Sequence, residues 1–118
     1  MPSTTPYSQG DVVLLPFPFT DLSASKRRPA VVISPERYNA VHDDVVVLAV
    51  TSHLAVEGPQ DYRFSPEEQR AAGLPKPSLV KIDKVLTLEQ TLILRRLGLL
   101  PGESIRRLVR KFQDFFSS

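Results

Sequence analysis

The sequence predicts a mainly β protein of the α+β class, in which about five to seven short strands form a small barrel or curled sheet and one helix follows. Two observations predict it. Short apolar, β-branched runs alternate with prolines and glycines along most of the chain, and only the segment after Pro101 keeps a sustained helical period. At 118 residues the chain fits one domain. We therefore expect a single domain over residues 1–118, with residues 1–8 as a loose N-terminal tail.

Three strands are predicted in the first half of the chain. Residues 11–19 begin with an apolar run and continue with Pro16 and Pro18, which block a helix and suit a strand at a sheet edge. Residues 30–34 are rich in β-branched side chains and lie between two prolines. Residues 45–50 are a third apolar run, too short for an independent helix, and we expect them to form a buried central strand.

The second half predicts three more strands and two helical segments. Residues 61–64 alternate polar and aromatic side chains as on a half-buried strand, and Ser65 with Glu68 forms a capping-box pattern that predicts one helical turn. Residues 79–86 alternate so that Lys81 and Asp83 share one face, and residues 92–97 form the last predicted strand. The C-terminal helix has an apolar stripe at helical spacing, made of Ile105, Leu108, Val109, Phe112 and Phe116.

Composition and charge narrow the classes of protein. The chain has no cysteine and no run of the ~20 apolar residues that a membrane span needs, so we expect a soluble protein of the reducing cytoplasm, without membrane association. The net charge is only +2, too small to indicate a polyanionic partner by itself. Cations cluster at residues 26–28 and again over 95–111, where six of them accompany the single acid Glu103. Either cluster is equally explained as a solvated face of a strand or helix.

The familiar motifs of metal and cofactor enzymes are missing from the sequence. There is no Cys/His zinc set, no HExxH, no Gly-rich phosphate loop and no GxSxG elbow, so we expect neither a metal nor a cofactor. His42 and His53 could form an acid and base pair, but His42 stands beside Asp43 and Asp44 in a predicted turn.

Three polar features could act on a phosphodiester. The cations Lys26, Arg27 and Arg28 precede a strand, and guanidinium groups suit phosphate. Thr51 and Ser52 follow a buried strand, where their hydroxyls and amides could hold a phosphate oxygen or simply cap a turn. Lys81 and Asp83, roughly 7 Å apart on one strand face, could act as acid and base or form a surface ion pair.

Several segments also share their order and spacing with a known family. These are residues 10–13 with Phe17 and Phe19, then 28–33, 50–52, 73–74, 78–83, 87–89 and the C-terminal helix. In them the chain closely resembles the MazF/PemK (Kid) growth inhibitors, toxins of type II toxin–antitoxin systems, over about residues 8–116. The Arg28-Pro29 strand and the Thr51-Ser52 ending carry the resemblance most specifically. Residues 22–26 of the first loop and Leu86 depart from the family pattern.

The resemblance implies an SH3-like β-barrel of the CcdB/MazF/PemK type with a C-terminal helix, dimeric, and cleaving single-stranded RNA without a metal. The 2′-hydroxyl would attack, leaving a 2′,3′-cyclic phosphate and a 5′-hydroxyl. The family's catalytic positions fall on Arg28, Thr51 and Asp83. RNA-binding positions are expected at Lys26, Arg27, Ser52, His53 and Lys81.

The implied partners are a MazE/PemI-like antitoxin, a second copy of the chain, and DNA only through the antitoxin complex. Two alternatives on the same fold remain: an RNA-binding barrel without catalytic activity, and a CcdB-like inhibitor of gyrase. A gyrase inhibitor would be expected to act through a C-terminal Trp, and this chain has no tryptophan. The basic C-terminal helix could bind RNA, contact the antitoxin or keep the protein soluble.

Overall fold

The computed structural model describes residues 6–17 and 26–117. The strands are β1 (Asp11–Phe17), β2 (Lys26–Val32), β3 (Asp44–Thr51), β4 (Tyr62–Arg63), β5 (Leu79–Glu89) and β6 (Arg95–Leu99). The α-helices are α1 (Glu36–Asn39), α2 (Pro66–Ala71) and α3 (Gly102–Asp114), with short 3₁₀ turns at Leu54–Val56 and Gln90–Leu92. The strands form one antiparallel, six-stranded sheet in the order β4-β5-β3-β2-β1-β6. The predicted class, a mainly β curled sheet with a C-terminal helix, is confirmed.

The sheet curls until its two edge strands are bridged by α2. This helix follows β4 directly, and its C-terminal end contacts the backbone of β6. A methyl group on Gly98 of β6 would overlap the carbonyl oxygen of Ala71, and one on Gly73 would overlap that of Leu97. The backbones at the end of α2 and in β6 therefore lie so close together that only glycine fits at these two positions. This contact, rather than a pair of hydrogen-bonded strands, closes the half-barrel.

Strand alternation divides the core into two clusters, one on each face of the sheet. Val12 belongs to the cluster under α3, whereas its neighbour Val13 belongs to the cluster on the opposite face. The first cluster also contains Phe64 and Leu108 from outside the sheet. The second, which we call the cleft-side cluster, consists of Val13, Leu15, Ala30, Val32, Val45, Val47, Leu88 and Ile93. Because each buried Val or Leu contributes roughly 1.5–3 kcal/mol, both faces fix the strand register.

The C-terminal helix packs against the first cluster by most of its predicted stripe. Leu108 is buried, and Ile105, Val109 and Phe112 pack against the cluster. Phe116 was wrongly included in the stripe, since it lies beyond the end of α3 and is 66% exposed.

Several boundaries differ from the sequence prediction. β2 begins at Lys26 rather than residue 30, and Pro29 lies within it, one residue before pairing with β3 begins at Ala30. The last strand begins at Arg95 because a 3₁₀ turn occupies Gln90–Leu92. α1 was not predicted at all, whereas the capping box of Ser65 and Glu68 at α2 is confirmed. Most of the first loop lies outside the described residues.

The N-terminal tail is shorter than predicted. The backbone N–H of Tyr7 donates to Gln90 Oε1 at 3.0 Å, and its carbonyl accepts from Asn39 Nδ2 at 2.8 Å. The N–H of Ser8 donates to Asp11 Oδ2 at 2.7 Å. The prediction of a loose tail is therefore wrong for residues 7 and 8, since Tyr7 bonds to two distant residues and Ser8 to the first residue of β1. Residues 1–5 lie outside the described part.

Gly73 supplies a test of how the half-barrel closes. Its φ is 72°, and a side chain there would meet the Leu97 carbonyl. Because a left-handed conformation costs an L-residue roughly 1–2 kcal/mol before any overlap, Gly73→Ala should lower the free energy of unfolding by about 2 kcal/mol or more in urea titrations.

Gly102→Ala is the matched control, since the nearest atom to its added methyl is Arg106 Nη1 at 3.6 Å. It should change the free energy of unfolding by less than about 0.5 kcal/mol. Equal effects of the two substitutions would contradict the close approach of α2 and β6.

Candidate active site

An open cleft of about 810 Å³ lies at one end of the sheet, beside the cleft-side cluster. Leu15, Ala30 and Val47 form its apolar floor. Its charged and polar walls come from Arg28 of β2, Thr51 of β3, His53, and Lys81, Asp83 and Lys84 of β5. The three predicted catalytic residues therefore line one cleft, although they belong to three strands distant in sequence.

Arg28 extends from β2, opposite Leu15 of β1. Its guanidinium carbon lies 5.1 Å from the centroid of the Phe17 ring, which is 38% exposed. A guanidinium held over an aromatic ring by a cation–π contact can still donate its N–H groups to an anion. The local sequence explains the pair, because antiparallel registry and a common strand face bring the two side chains together.

The other two cations of the Lys26-Arg27-Arg28 segment do not line the cleft. Arg27 is displaced by one residue, so strand alternation directs it to the α3 face of the sheet, with Val31. Lys26 shares the face of Arg28 but lies at the end of β2, opposite Phe17, and is exposed. One cation of the segment, rather than three, is placed in the cleft.

Thr51 ends β3, and its Oγ1 accepts a hydrogen bond of 3.0 Å from the N–H of His53. The turn-capping interpretation of Thr51 is thus confirmed. It leaves the hydroxyl proton for a second partner, since a threonine hydroxyl both donates and accepts. His53 also lines the cleft, whereas Ser52 is exposed and does not.

His42 and His53 do not form an acid and base pair, as the position of His42 beside Asp43 and Asp44 had indicated. His42 precedes β3 and His53 follows it, so the eight residues of the strand separate them. His42 instead stacks on Tyr38 with ring centroids 3.9 Å apart, and its Nδ1 lies 2.9 Å from the Tyr38 carbonyl oxygen.

A register shift in β5 brings Lys81 and Asp83 into the cleft. β3 takes two residue steps from Leu48 to Val50, while β5 takes five between their partners Val85 and Val80. The additional residues bulge from the ladder, as insertions beside functional sites often do. The Lys81 Nζ lies 4.0 Å from Asp83 Oδ1, so the predicted common face is confirmed.

Asp61 was missed as a functional candidate. Its buried Oδ2 accepts from Lys81 Nζ at 2.6 Å and from the N–H of Gly58 at 2.8 Å, while Oδ1 accepts from the N–H of Ile82 at 3.1 Å. Burial alone would raise the pKa of Asp61, but the Lys81 ammonium and the two backbone N–H groups outweigh it and hold the pKa below its ordinary value. The only sequence signal was the Gly58-Pro59 turn, which does not reveal a partner twenty residues away.

Lys81 differs from a mobile surface lysine. Its side chain is 12% exposed, and its Nζ also donates to the Val56 carbonyl at 3.0 Å. The expected ion pair of Lys81 and Asp83 is present at 4.0 Å, but the closer partner of Lys81 is the buried Asp61. Among the lining residues, Arg28, Lys81 and Lys84 are cationic and Asp83 is the single carboxylate, a balance that suits an anionic ligand.

The described residues show neither a cluster of metal ligands nor a membrane-spanning helix. They contain no group of three or more His, Cys, Asp or Glu side chains arranged to hold a metal ion. No helix within residues 6–17 and 26–117 is long and apolar enough to cross a membrane.

The fold and the cleft together define a class of small single-sheet proteins with a cationic cleft at one end of the sheet. The sequence model of the PemK-like, MazF-like toxins of type II toxin–antitoxin systems matches residues 8–116, so the chain belongs to this family. A comparison with curated proteins finds no match.

Solved structures of similar fold include three of interest. A MazE–MazF complex from Deinococcus radiodurans (Form-II) has a TM-score of 0.73 at 23% identity, covering 97% of this chain and 98% of that one. An endoribonuclease in complex with its cognate antitoxin from Mycobacterial species has a TM-score of 0.71 at 16% identity, covering 95% and 93%. The Mycobacterium tuberculosis toxin MazF-mt6 has a TM-score of 0.69 at 19% identity, covering 89% and 93%. At these identities the likeness supports the fold.

The lowered pKa of Asp61 predicts a contribution to acid stability. Because the folded protein favours the carboxylate, this contribution is complete above the ordinary pKa of 3.8 and is lost as the pH falls through the lower folded value. Urea titrations between about pH 6 and about pH 2 should therefore show a shallower loss of stability in Asp61→Asn than in the native chain. At neutral pH the variant should be destabilised by ~3 kcal/mol. Parallel pH curves would contradict the ion pair.

Proposed function

We propose that the chain is a metal-independent endoribonuclease toxin that cleaves single-stranded RNA through attack of the 2′-hydroxyl. The observation that carries the proposal is the convergence of Arg28, Thr51 and Asp83 on one cleft with an excess of cations. Membership of the toxin family supports the proposal, and the sequence resemblance implies catalytic roles for these three residues. A guanidinium, a hydroxyl donor and a carboxylate are the groups that this reaction requires around one phosphodiester.

Each residue has a distinct role in the proposed reaction. The Asp83 carboxylate, which is 40% exposed, accepts the proton of the 2′-hydroxyl as its oxygen attacks the adjacent phosphorus. The Arg28 guanidinium stabilises the charge that develops on the phosphorane, and the free hydroxyl proton of Thr51 orients a phosphate oxygen. The phosphorus–oxygen bond to the 5′-oxygen then breaks, and Lys81 supplies the proton that this leaving group takes up. The products are a 2′,3′-cyclic phosphate and a 5′-hydroxyl.

The polar residues around the cleft give RNA its binding contacts in this proposal. Lys81 and His53 line the cleft. Lys26 and Ser52 are exposed and lie within two residues of Arg28 and Thr51 in the sequence, so in this proposal they contact the flanking nucleotides. Arg27 lies on the other face of β2 and is left out of the RNA site.

The proposed partners follow from the family and from the complexes of similar fold. We assign to the chain a MazE/PemI-like antitoxin that neutralises it, and a homodimeric state. Contact with DNA would occur only through the toxin–antitoxin complex, and the site of action would be the cytoplasm, where messenger RNA is exposed. Two solved structures of similar fold support these assignments: a MazE–MazF complex and an endoribonuclease in complex with its antitoxin.

Arg28→Ala tests the catalytic cation. Loss of one electrostatic donor to a phosphorane should reduce the single-turnover rate of RNA cleavage by about 10²–10³-fold. Arg27→Ala removes the same charge one residue away, on the opposite face, and should change the rate by less than about threefold. Equal losses in both variants would show that the overall charge of the segment, and not the cleft, determines the activity.

The chemistry of cleavage can be tested with the RNA itself. We expect a single-stranded RNA to be cut in the presence of EDTA, and mass spectrometry of the fragments to show the cyclic phosphate. A substrate with a 2′-deoxy nucleotide at the cut site should bind but remain intact, because it lacks the nucleophile. If the unmodified RNA binds with a salt-dependent affinity yet is recovered whole, the protein is a non-catalytic RNA binder instead.

A further inference from the structure

We propose that Asp61 is a positioning residue, which fixes the Lys81 ammonium in the wall of the cleft so that one of its N–H groups is presented to an oxygen of the bound phosphodiester. The inference rests on the proposed function for the identity of the ligand. It extends that function with a residue that does not line the cleft and to which the family resemblance assigns no role.

The hydrogen bonds of Asp61 make it a rigid anchor. Its side chain is fully buried, and in addition to Lys81 it accepts from Gly58, Ile82 and, at 3.4 Å, from Gln60 Nε2. Both carboxylate oxygens therefore have two donors each. Because these four donors fix the carboxylate, the hydrogen bond from Lys81 can form only where the carboxylate lies. The ammonium of Lys81 is therefore restricted to that position.

The donors of Lys81 can be counted in the same manner. Its ammonium has three N–H groups, of which one is used by Asp61 and one by the Val56 carbonyl. Within the described part of the chain these are its two hydrogen bonds, because Asp83 Oδ1 lies 4.0 Å away, beyond hydrogen-bond length. One donor thus remains, on a side chain that lines the cleft.

Fixing the lysine has a catalytic consequence. A flexible lysine loses up to about 2 kcal/mol of rotamer freedom when it binds a ligand, whereas Lys81 has lost this freedom on folding. Its charge is also balanced by Asp61, so Lys81 does not capture Asp83 in a tight ion pair. Asp83 accordingly keeps its carboxylate open to the 2′-hydroxyl, while Lys81 stays available to the leaving oxygen.

The same bonds would also be expected if Asp61 only attached residues 57–61 to β5. The two roles differ in how Asp61 and Lys81 depend on one another. If Asp61 acts through Lys81, substituting Asp61 should cause no further loss of cleavage activity in a variant that already lacks the Lys81 ammonium. A residue that only stabilises the loop would reduce activity independently of Lys81.

A double-mutant cycle with Asp61→Asn, Lys81→Met and the double variant tests this dependence. Single-turnover cleavage should fall by about 10–100-fold in each single variant and by no more in the double variant, while the Kd for RNA changes by less than about fivefold. The rates are measured at a temperature at which circular dichroism shows each variant folded. Should Asp61→Asn not fold, Asp61→Glu keeps the charge but displaces it by one methylene, and a reduced rate in that folded variant is the expected result.

Acylation of lysines, followed by mass spectrometry, gives a second readout that needs no RNA. Acetic anhydride should modify Lys81 roughly tenfold more slowly than the exposed Lys84 in the native chain, and the protection should be lost in Asp61→Asn. Multiplicative losses of cleavage in the double variant, or unchanged protection of Lys81 in Asp61→Asn, would overturn the positioning role. If the native protein cuts no RNA, the proposed function fails, and the acylation rates still decide whether Asp61 fixes Lys81.

Discussion

The register shift between β3 and β5 is the feature on which both the shape of the sheet and the composition of the cleft depend. Continued from the Leu48–Val85 pair without a shift, the ladder would place Asp83 opposite Val50 and Lys81 beyond the end of β3. With the extra residues of β5, Val80 pairs with Val50 instead, and this first part of β5 lies between the end of β3 and the short strand β4. The charged side chains of the bulge line the same cleft as Arg28.

Buried carboxylates hold the curled sheet in place at three points. Asp11 accepts from Arg96 at 2.8 Å between β1 and β6, Asp61 accepts from Lys81, and Glu68 accepts from Arg107 at 3.3 Å between α2 and α3. In the described part of the chain, every buried side-chain nitrogen or oxygen has a hydrogen-bond partner. Buried ion pairs add little net stability over apolar contacts, but removal of one partner is costly. They therefore favour this arrangement of elements over other packings of the same strands.

The sequence predicted the elements that depend on local pattern. Alternation over residues 79–86 placed Lys81 and Asp83 on one face, and the Ser65–Glu68 spacing predicted the cap of α2. Features set by long-range contact were not predictable in this way. α1 is a single turn that lacks a side-chain cap hydrogen bond, and its Asn39 is held instead by Tyr7 and Gln90 from distant segments. Asp61 belongs to the same group, because its role depends on a register that only the folded sheet defines.

The candidate site shows why clusters of charge in the sequence were a limited guide to function. Of the three cations at residues 26–28, only Arg28 lines the cleft. In the basic segment 95–111, Arg96 pairs with Asp11, and Arg107 pairs with Glu68 and Glu103. The remaining cleft cations, Lys81 and Lys84, come from a strand that contains no basic run.

A phosphodiester needs cations at defined positions, and position comes from the strand register and from buried partners such as Asp61. A solvated run of lysines and arginines on one element supplies attraction over a distance but no such geometry. Lys81 combines both conditions, since Asp61 and the Val56 carbonyl hold its ammonium from one side while the side chain lines the cleft.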